Sequence, residues 1–180
     1  MPSHHPRLKQ AVDGRHRPIA SGDLVNDRLF ALVIGIDDYY DEKIRNLRGC
    51  VNDSENFCTF LTESLHANPL HIKHLRDSEA TREGILSAFE EHFINNTEIQ
   101  RNDAIVFYFA GHGSFEIPQG EHLAGSKMES ICPHDDRTRG VRGIPDRTIA
   151  SLMHRVAVPK GNNIVSVIIS ICFIFTNPAV

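Results

Sequence analysis

His112 sits between two glycines, Gly111 and Gly113, at the end of the apolar run DAIVFYFAGHG over residues 103–113. An imidazole titrates close enough to neutral pH to take a proton and return it, the work of a general base. The flanking glycines predict a sharp turn and the close approach of a substrate. They would leave the histidine exposed at the end of its strand. In the same turn the Gly113 N–H is placed to donate to an oxyanion. The competing reading is a histidine that only shapes a turn.

A second candidate is ESICPHDD at 129–136, where Asp135 and Asp136 follow a short β-like stretch and a proline. Either they form a solvated loop, or one of the acids lines a pocket for a positively charged side chain. In GCVNDSENF (49–57), Asn52 and Asp53 mark a helix N-terminus, with Asp53 or Ser54 as its cap. Cys50, Cys58 and Cys132 read as structural. Cys58 belongs to a helical stripe with Phe57 and Leu61, and none of the three has neighbours in sequence that would lower a thiol pKa. With no close CxxC pair among these and Cys172, no metal site is expected. His4 and His5 could touch a metal only weakly from a mobile tail.

The elements that must hold these residues follow from periodicity. LFALVIGI (29–36) is a continuous apolar run, the pattern of a strand covered on both faces. Residues 53–66 predict a helix with Phe57, Phe60, Leu61 and Leu65 at helical spacing. HIKHL (71–75) predicts a strand, and 78–95 a helix with Thr81 as N-cap. Residues 103–113 predict a third strand. Residues 145–154 predict a helix with Asp146 in its first turn, and NNIVSVIIS (162–170) a fourth strand. Alternating buried strands and amphipathic helices predict an α/β sandwich on a parallel sheet, with chemistry at the carboxyl ends of the strands.

The 180 residues suit one domain, and 41% hydrophobic with 23% charged residues is ordinary for a globular chain. A net charge of −4 without a basic stripe gives no reason to expect nucleic acid. Residues 1–28 read as a disordered tail without a signal peptide, so a cytoplasmic protein with free thiols is expected. The run IVSVIISICFIF (164–175) is too short to span a membrane as a helix. Neither GxGxxG nor GxxxxGK[ST] occurs, which argues against a nucleotide-binding domain.

The stretches ALVIGIDDY (31–39), LRGCVNDSENFCTFL (47–61), ATREGILSAFEEHF (80–93), IVFYFAGHGS (105–114), ESICPHD (129–135) and IPDRTIASLMHRV (144–156) resemble, in order, the caspase-like cysteine peptidases of metacaspase type. The resemblance covers residues 29–164, taken as the large-subunit part of a caspase-like domain. It implies a three-layer sandwich around a mainly parallel sheet, incomplete at the C-terminus. It implies that His112 is the histidine of a Cys-His dyad, that Gly113 donates to the oxyanion, and that Asp135 helps shape a pocket for Arg or Lys before the scissile bond. Substrates would be proteins or peptides. The chemistry would need no cofactor, although calcium is a possible activator with no residues assigned to it.

The chain departs from the family where the nucleophile belongs. After GNNI the family runs into an Asp-Cys-Cys-His-Ser-Gly type segment, whereas this chain reads VSVIISICFIFTNPAV. Cys172 has no preceding Asp and no following His-Ser-Gly, and its neighbours Ile171 and Phe173 are apolar. Residues 165–180 are therefore expected to be an aberrant apolar tail. Val165-Ser166 can be encoded by an intron donor sequence, so a translated intron would account for it. The expected result is a domain that keeps the family's base and is inactive for lack of its nucleophile. The rival expectation is a non-catalytic caspase-fold regulator. An apolar sheet edge left by the fourth strand is expected to self-associate or to recruit a strand.

Overall fold

The computed structural model describes residues 25–116 and 128–173, with side chains described for 25–115 and 128–170. Nine elements follow in chain order: β1 (Leu29–Gly35), α1 (Cys50–Thr59), β2 (Ile72–Arg76), α2 (Arg82–Phe89), β3 (Ala104–Glu116), β4 (Met128–Ile131), β5 (Ile144–Pro145), α3 (Asp146–Lys160) and β6 (Ile164–Phe173). His4 and His5 lie outside the described residues. So does most of the segment expected to be a tail, but Asn26 bridges to Ala67 and Arg28 pairs with Asp103 ahead of β1.

The sheet is six-stranded, in the order β2-β1-β3-β4-β5, with β6 also paired to β3. β2, β1, β3 and β6 are mutually parallel, whereas β4 and β5 are antiparallel additions. The expected mainly parallel sheet is therefore present, with an antiparallel extension beyond the carboxyl end of β1. Alternate residues of β3 serve its two edges. Ala104 N–H donates to Arg28 C=O on the β1 side and Ile105 N–H to Asn163 C=O on the β6 side.

Every residue of β1 is buried, which is why it reads as an unbroken apolar run. Alternate side chains feed two cores. Phe30, Leu32, Ile34, Phe107 and Phe109 pack with Ile85 and Phe89 of α2 and with Ile149, Leu152 and Val156 of α3. Ala31, Val33, Val106 and Tyr108 pack against Phe57 and Cys58 of α1 and the following Leu61. Helices on both faces make the three-layer sandwich.

Four local expectations are corrected. α1 starts at Cys50 rather than Asp53, and its own side chains do not cap it. Of its expected stripe, Phe60 and Leu65 are exposed, because a π turn over Phe60–Ser64 rotates the helix end. β3 does not turn at Gly111-His112-Gly113 but continues to Glu116, since β4 and β6 supply partners along that stretch. α3 runs to Lys160, six residues past its expected end, with Pro159 in its last turn. Thr81 does cap α2, accepting from Gly84 N–H. β6 crosses the boundary drawn at 164/165 and carries the apolar segment into the sheet as far as Phe173.

α1 lies directly on the end of β1 because Gly35 has no side chain. A Cβ there would stand 2.3 Å from Ser54 Oγ and 2.6 Å from the Cys50 carbonyl oxygen. Gly35→Ala is expected to destabilise the fold by about 1–3 kcal/mol through overpacking. Gly49→Ala, where nothing lies within 4 Å, should be near neutral. Thermal unfolding of the two variants checks the contrast.

Candidate active site at the carboxyl end of the sheet

β1 ends at Gly35, whose partner on β3 is Ala110, and β4 joins the same edge of β3 only from Gly113 onward. Ile36 N–H still reaches Ala110 C=O at 2.9 Å, and Cys132 N–H reaches His112 C=O at 2.9 Å. Between them the His112 N–H has no strand to bond. It donates instead to the Tyr39 hydroxyl at 2.7 Å. The Tyr39 ring also packs on the imidazole, with centroids 4.9 Å apart. Burial holds the phenol pKa well above its ordinary value, so this hydroxyl stays protonated.

Gly111 is needed for this approach rather than for a turn. A Cβ on it would meet Phe109 Cζ at 2.8 Å and Tyr39 Oη at 3.0 Å.

The segment carrying Tyr39 is fixed by acids. Asp37 accepts from the N–H groups of Gly49, Cys50 and Val51, so it caps α1 from outside the helix. Asp77 accepts from the N–H groups of Asp37 and Asp38. Asn46 links the two sides of the loop, accepting from Tyr39 N–H and donating to Asp38. Arg45 is thereby held so that its carbonyl lies 2.6 Å from His112 Nε2. A carbonyl only accepts, so Nε2 is the donor, and a neutral imidazole then carries its lone pair on Nδ1.

The structure thus keeps His112 at the carboxyl end of the sheet but overturns its expected exposure: only 1% of its surface is accessible. Gly113 is its neighbour, as expected. Because His112 C=O faces β4, the alternation of the ladder turns the Gly113 N–H toward β6, where Cys172 is the residue in register. Ile171 is in register with His112. A one-residue step along a strand changes sheet face, so Cys172 occupies the position paired with Gly113 and not the one paired with His112.

Asp135 is half-buried, and its Oδ1 accepts from Arg82 N–H at 2.7 Å in the first turn of α2. Arg82 in turn donates to the Arg142 and Gly143 carbonyls. Asp136 is buried rather than solvated. The segment starts beside His112 at Cys132 and is tied to the covering loop. Tyr40 N–H bonds to His134 C=O, and His134 Nδ1 to Asp38 C=O.

A cleft of about 60 Å³ opens beside Gly113. It is lined by Ser114, Glu129, Ser130, Asp146 and Ile168 among others, but not by His112.

The described thiols are unsuited to attack. Burial, with nearby acids, raises Cys50 to about 11, Cys58 to about 11 and Cys132 to about 12. Ser54 Oγ lies 2.8 Å from His74 Nε2 but is fully buried and donates to Val51 C=O, so this serine and histidine make a structural pair. Among the described residues no group of three or more His, Cys, Asp or Glu converges as a metal site, and no helix is long and apolar enough to cross a membrane.

Sequence reasoning missed Tyr39, Asp37 and Asp77. The run GIDDYY after a buried strand was the available signal for the first two, since polar and aromatic residues crowd there at the functional end of the sheet.

Residues 30–175 match the family model described as the metacaspase, peptidase C14 domain. Metacaspase-1A of Aspergillus niger is 32% identical over 138 residues, covering 71% of this chain and 30% of that protein. Metacaspase-1 of Saccharomyces cerevisiae is 30% identical over 145 residues, covering 75% of this chain and 31% of its own length. The chain thus spans under a third of these relatives. A crystal structure of a Geobacter sulfurreducens protein superposes with a TM-score of 0.60 at 17% identity, over 80% of this chain and 50% of that one, a likeness of fold.

Tyr39→Phe is expected to cost about 1–3 kcal/mol by leaving the buried His112 N–H without its acceptor. Tyr40→Phe, on an exposed ring, should cost little. Urea denaturation of both checks this, and equal losses would mean that the amide finds another acceptor.

Proposed function

The chain belongs to the metacaspase family of C14 peptidases, and on that premise we propose that it carries the histidine side of a Cys-His endopeptidase centre but not a working nucleophile. The observation that supports this most is the hydrogen bond from His112 Nε2 to the Arg45 carbonyl. It orients the ring and assigns the lone pair to Nδ1, as a base that serves a thiol requires. In a complete centre a thiolate would attack the scissile carbonyl, and the imidazolium of His112 would protonate the leaving amine. The Gly113 amide would donate to the oxyanion once the β6 segment it faces gives way. Asp135, with one oxygen on Arg82 N–H, would contribute its second to a basic side chain, in keeping with cleavage after Arg or Lys. Acids at the cleft beside Gly113, Glu129 and Asp146, favour the same charge. Substrates would be proteins or peptides, and unpaired thiols at Cys50, Cys58 and Cys132 suit a reducing, cytoplasmic setting.

The inactivity reading rests on register. Ile171 takes the position opposite His112, and Cys172 falls one step beyond it. Loss of the nucleophile from such a unit removes activity by on the order of a millionfold. The same register suits a second reading, a non-catalytic caspase-fold regulator. A change in the rate of a full-length metacaspase on mixing would distinguish that role.

Purified chain is expected to give no turnover of fluorogenic peptides ending in Arg or Lys, with or without calcium. Turnover that disappears in Cys172→Ala would establish Cys172 as the nucleophile and overturn the inactivity reading.

A further inference from the structure

The segment from Arg137 to Pro145 holds three arginines and no acid, in a chain whose net charge is −4. It begins with a tight turn between β4 and β5. Arg137 N–H donates to Val141 C=O at 2.8 Å, which sets Arg142 beside Arg137 at the base of the turn and leaves Arg139 at its tip. Arg82 adds a further positive charge at the base, donating to the Arg142 and Gly143 carbonyls. Arg139, Gly140 and Arg142 are exposed. Among the described residues no carboxylate lies within ion-pair reach of Arg139 or Arg142.

The backbone of the turn is unusual. Arg137 and Arg139 hold φ of 66° and 51°, and Gly140 follows at 84°. A side chain in the left-handed region costs energy, and residues held there gather at ligand clamps. Thr138, between the two arginines, keeps a negative φ. Such alternation turns successive N–H groups to one side, the arrangement of an anion-binding nest. The Arg139 N–H has no protein acceptor among the described residues. In the same turn Thr138 Oγ1 is buried without a hydrogen-bond partner. Nothing lies within 4 Å of where a Gly140 Cβ would stand, so the turn is open there. The nearby start of α3 is less suited to an anion, because its first turn already carries its own acid, Asp146.

We propose that the turn at residues 137–142 binds a phosphate monoester. The guanidinium fork matches phosphate oxygens. A monoester carries about two charges and three strong acceptor oxygens, enough for the Arg139 and Arg142 side chains, the Arg139 N–H and the Thr138 hydroxyl to share. A carboxylate has less of both and leaves part of that donor set unmet. The phosphate belongs either to a phosphorylated side chain of a partner protein or to a free small molecule. The turn hangs from the segment of Asp135, whose C=O accepts from Thr138 N–H at 3.1 Å. The site is nonetheless independent of the peptidase reading, since none of its donors takes part in that chemistry.

The test titrates the full 180-residue chain with a serine-phosphorylated peptide, the same peptide unphosphorylated, and inorganic phosphate, at constant ionic strength. Amide NMR signals report the binding. The Arg139 amide should shift with a phosphate and stay in place with the unphosphorylated peptide. Tighter binding of the phosphopeptide than of inorganic phosphate assigns the source to a partner protein, and equal binding assigns it to a free phosphate. Arg139→Lys and Arg142→Lys keep the charge but lose the fork, and each should weaken binding about tenfold. Thr138→Val, which removes only the unpaired hydroxyl, should weaken binding and keep the fold. Arg147→Lys, an exposed arginine outside the turn, should change nothing. All these variants except Thr138→Val lie on the surface, and an otherwise unchanged amide spectrum confirms the fold of each. Any of three results overturns the proposal: an Arg139 amide that no phosphate moves, binding that survives both Arg139→Lys and Arg142→Lys unchanged, or a loss in Arg147→Lys as large as in those two, which would mean diffuse attraction to surface charge.

Discussion

A strand that changes neighbours partway along must find an acceptor for the amide at the seam. In β3 that amide belongs to His112, at the gap between the end of β1 and the start of β4. A buried N–H left unpaired costs about 1–3 kcal/mol, and the Tyr39 hydroxyl removes that cost. Several otherwise separate features answer to this one bond. Gly111 lacks a side chain so that the hydroxyl can approach. The loop after β1 folds back over the sheet edge to deliver Tyr39. The same loop brings the Arg45 carbonyl to the imidazole, so satisfying the backbone and orienting the histidine are achieved together.

The loop holds its shape through carboxylates acting on backbone N–H groups. Asp37 takes the amides at the start of α1, where the helix dipole favours a negative charge, and Asp77 takes the amides of Asp37 and Asp38. Bonds with an ionised partner are roughly twice as strong as neutral ones. Asp135 does the same for α2 through Arg82 N–H. Asp37 and Asp135 are thus tied to backbone amides at helix starts, and Asp77 to amides of the loop itself.

Two consequences meet on β6. It adds a parallel strand beside the strand of His112, and from Ile164 to Phe173 it carries no charged residue. Its register sets an isoleucine opposite His112, while the described thiols elsewhere are raised by burial.

Periodicity was enough for the buried strands, and a threonine ahead of an apolar stripe for the capping of α2 by Thr81, because these depend on residues close in sequence. The segments that resemble the family were equally legible, and they are what singled out His112, Gly113 and Asp135 as candidates. The burial of His112, its Nε2 tautomer, the straight course of β3 through Gly111-His112-Gly113 and the anchoring of Asp135 were not. Each is set by a partner far along the chain: Tyr39 and Arg45 for the histidine, β4 and β6 for the strand, Arg82 for the acid. Local sequence dictates which residues can form a strand or cap a helix. Which unsatisfied donor meets which distant acceptor is decided only when the sheet closes around them, because hydrogen-bond geometry is a property of assembled elements and not of neighbours in the chain.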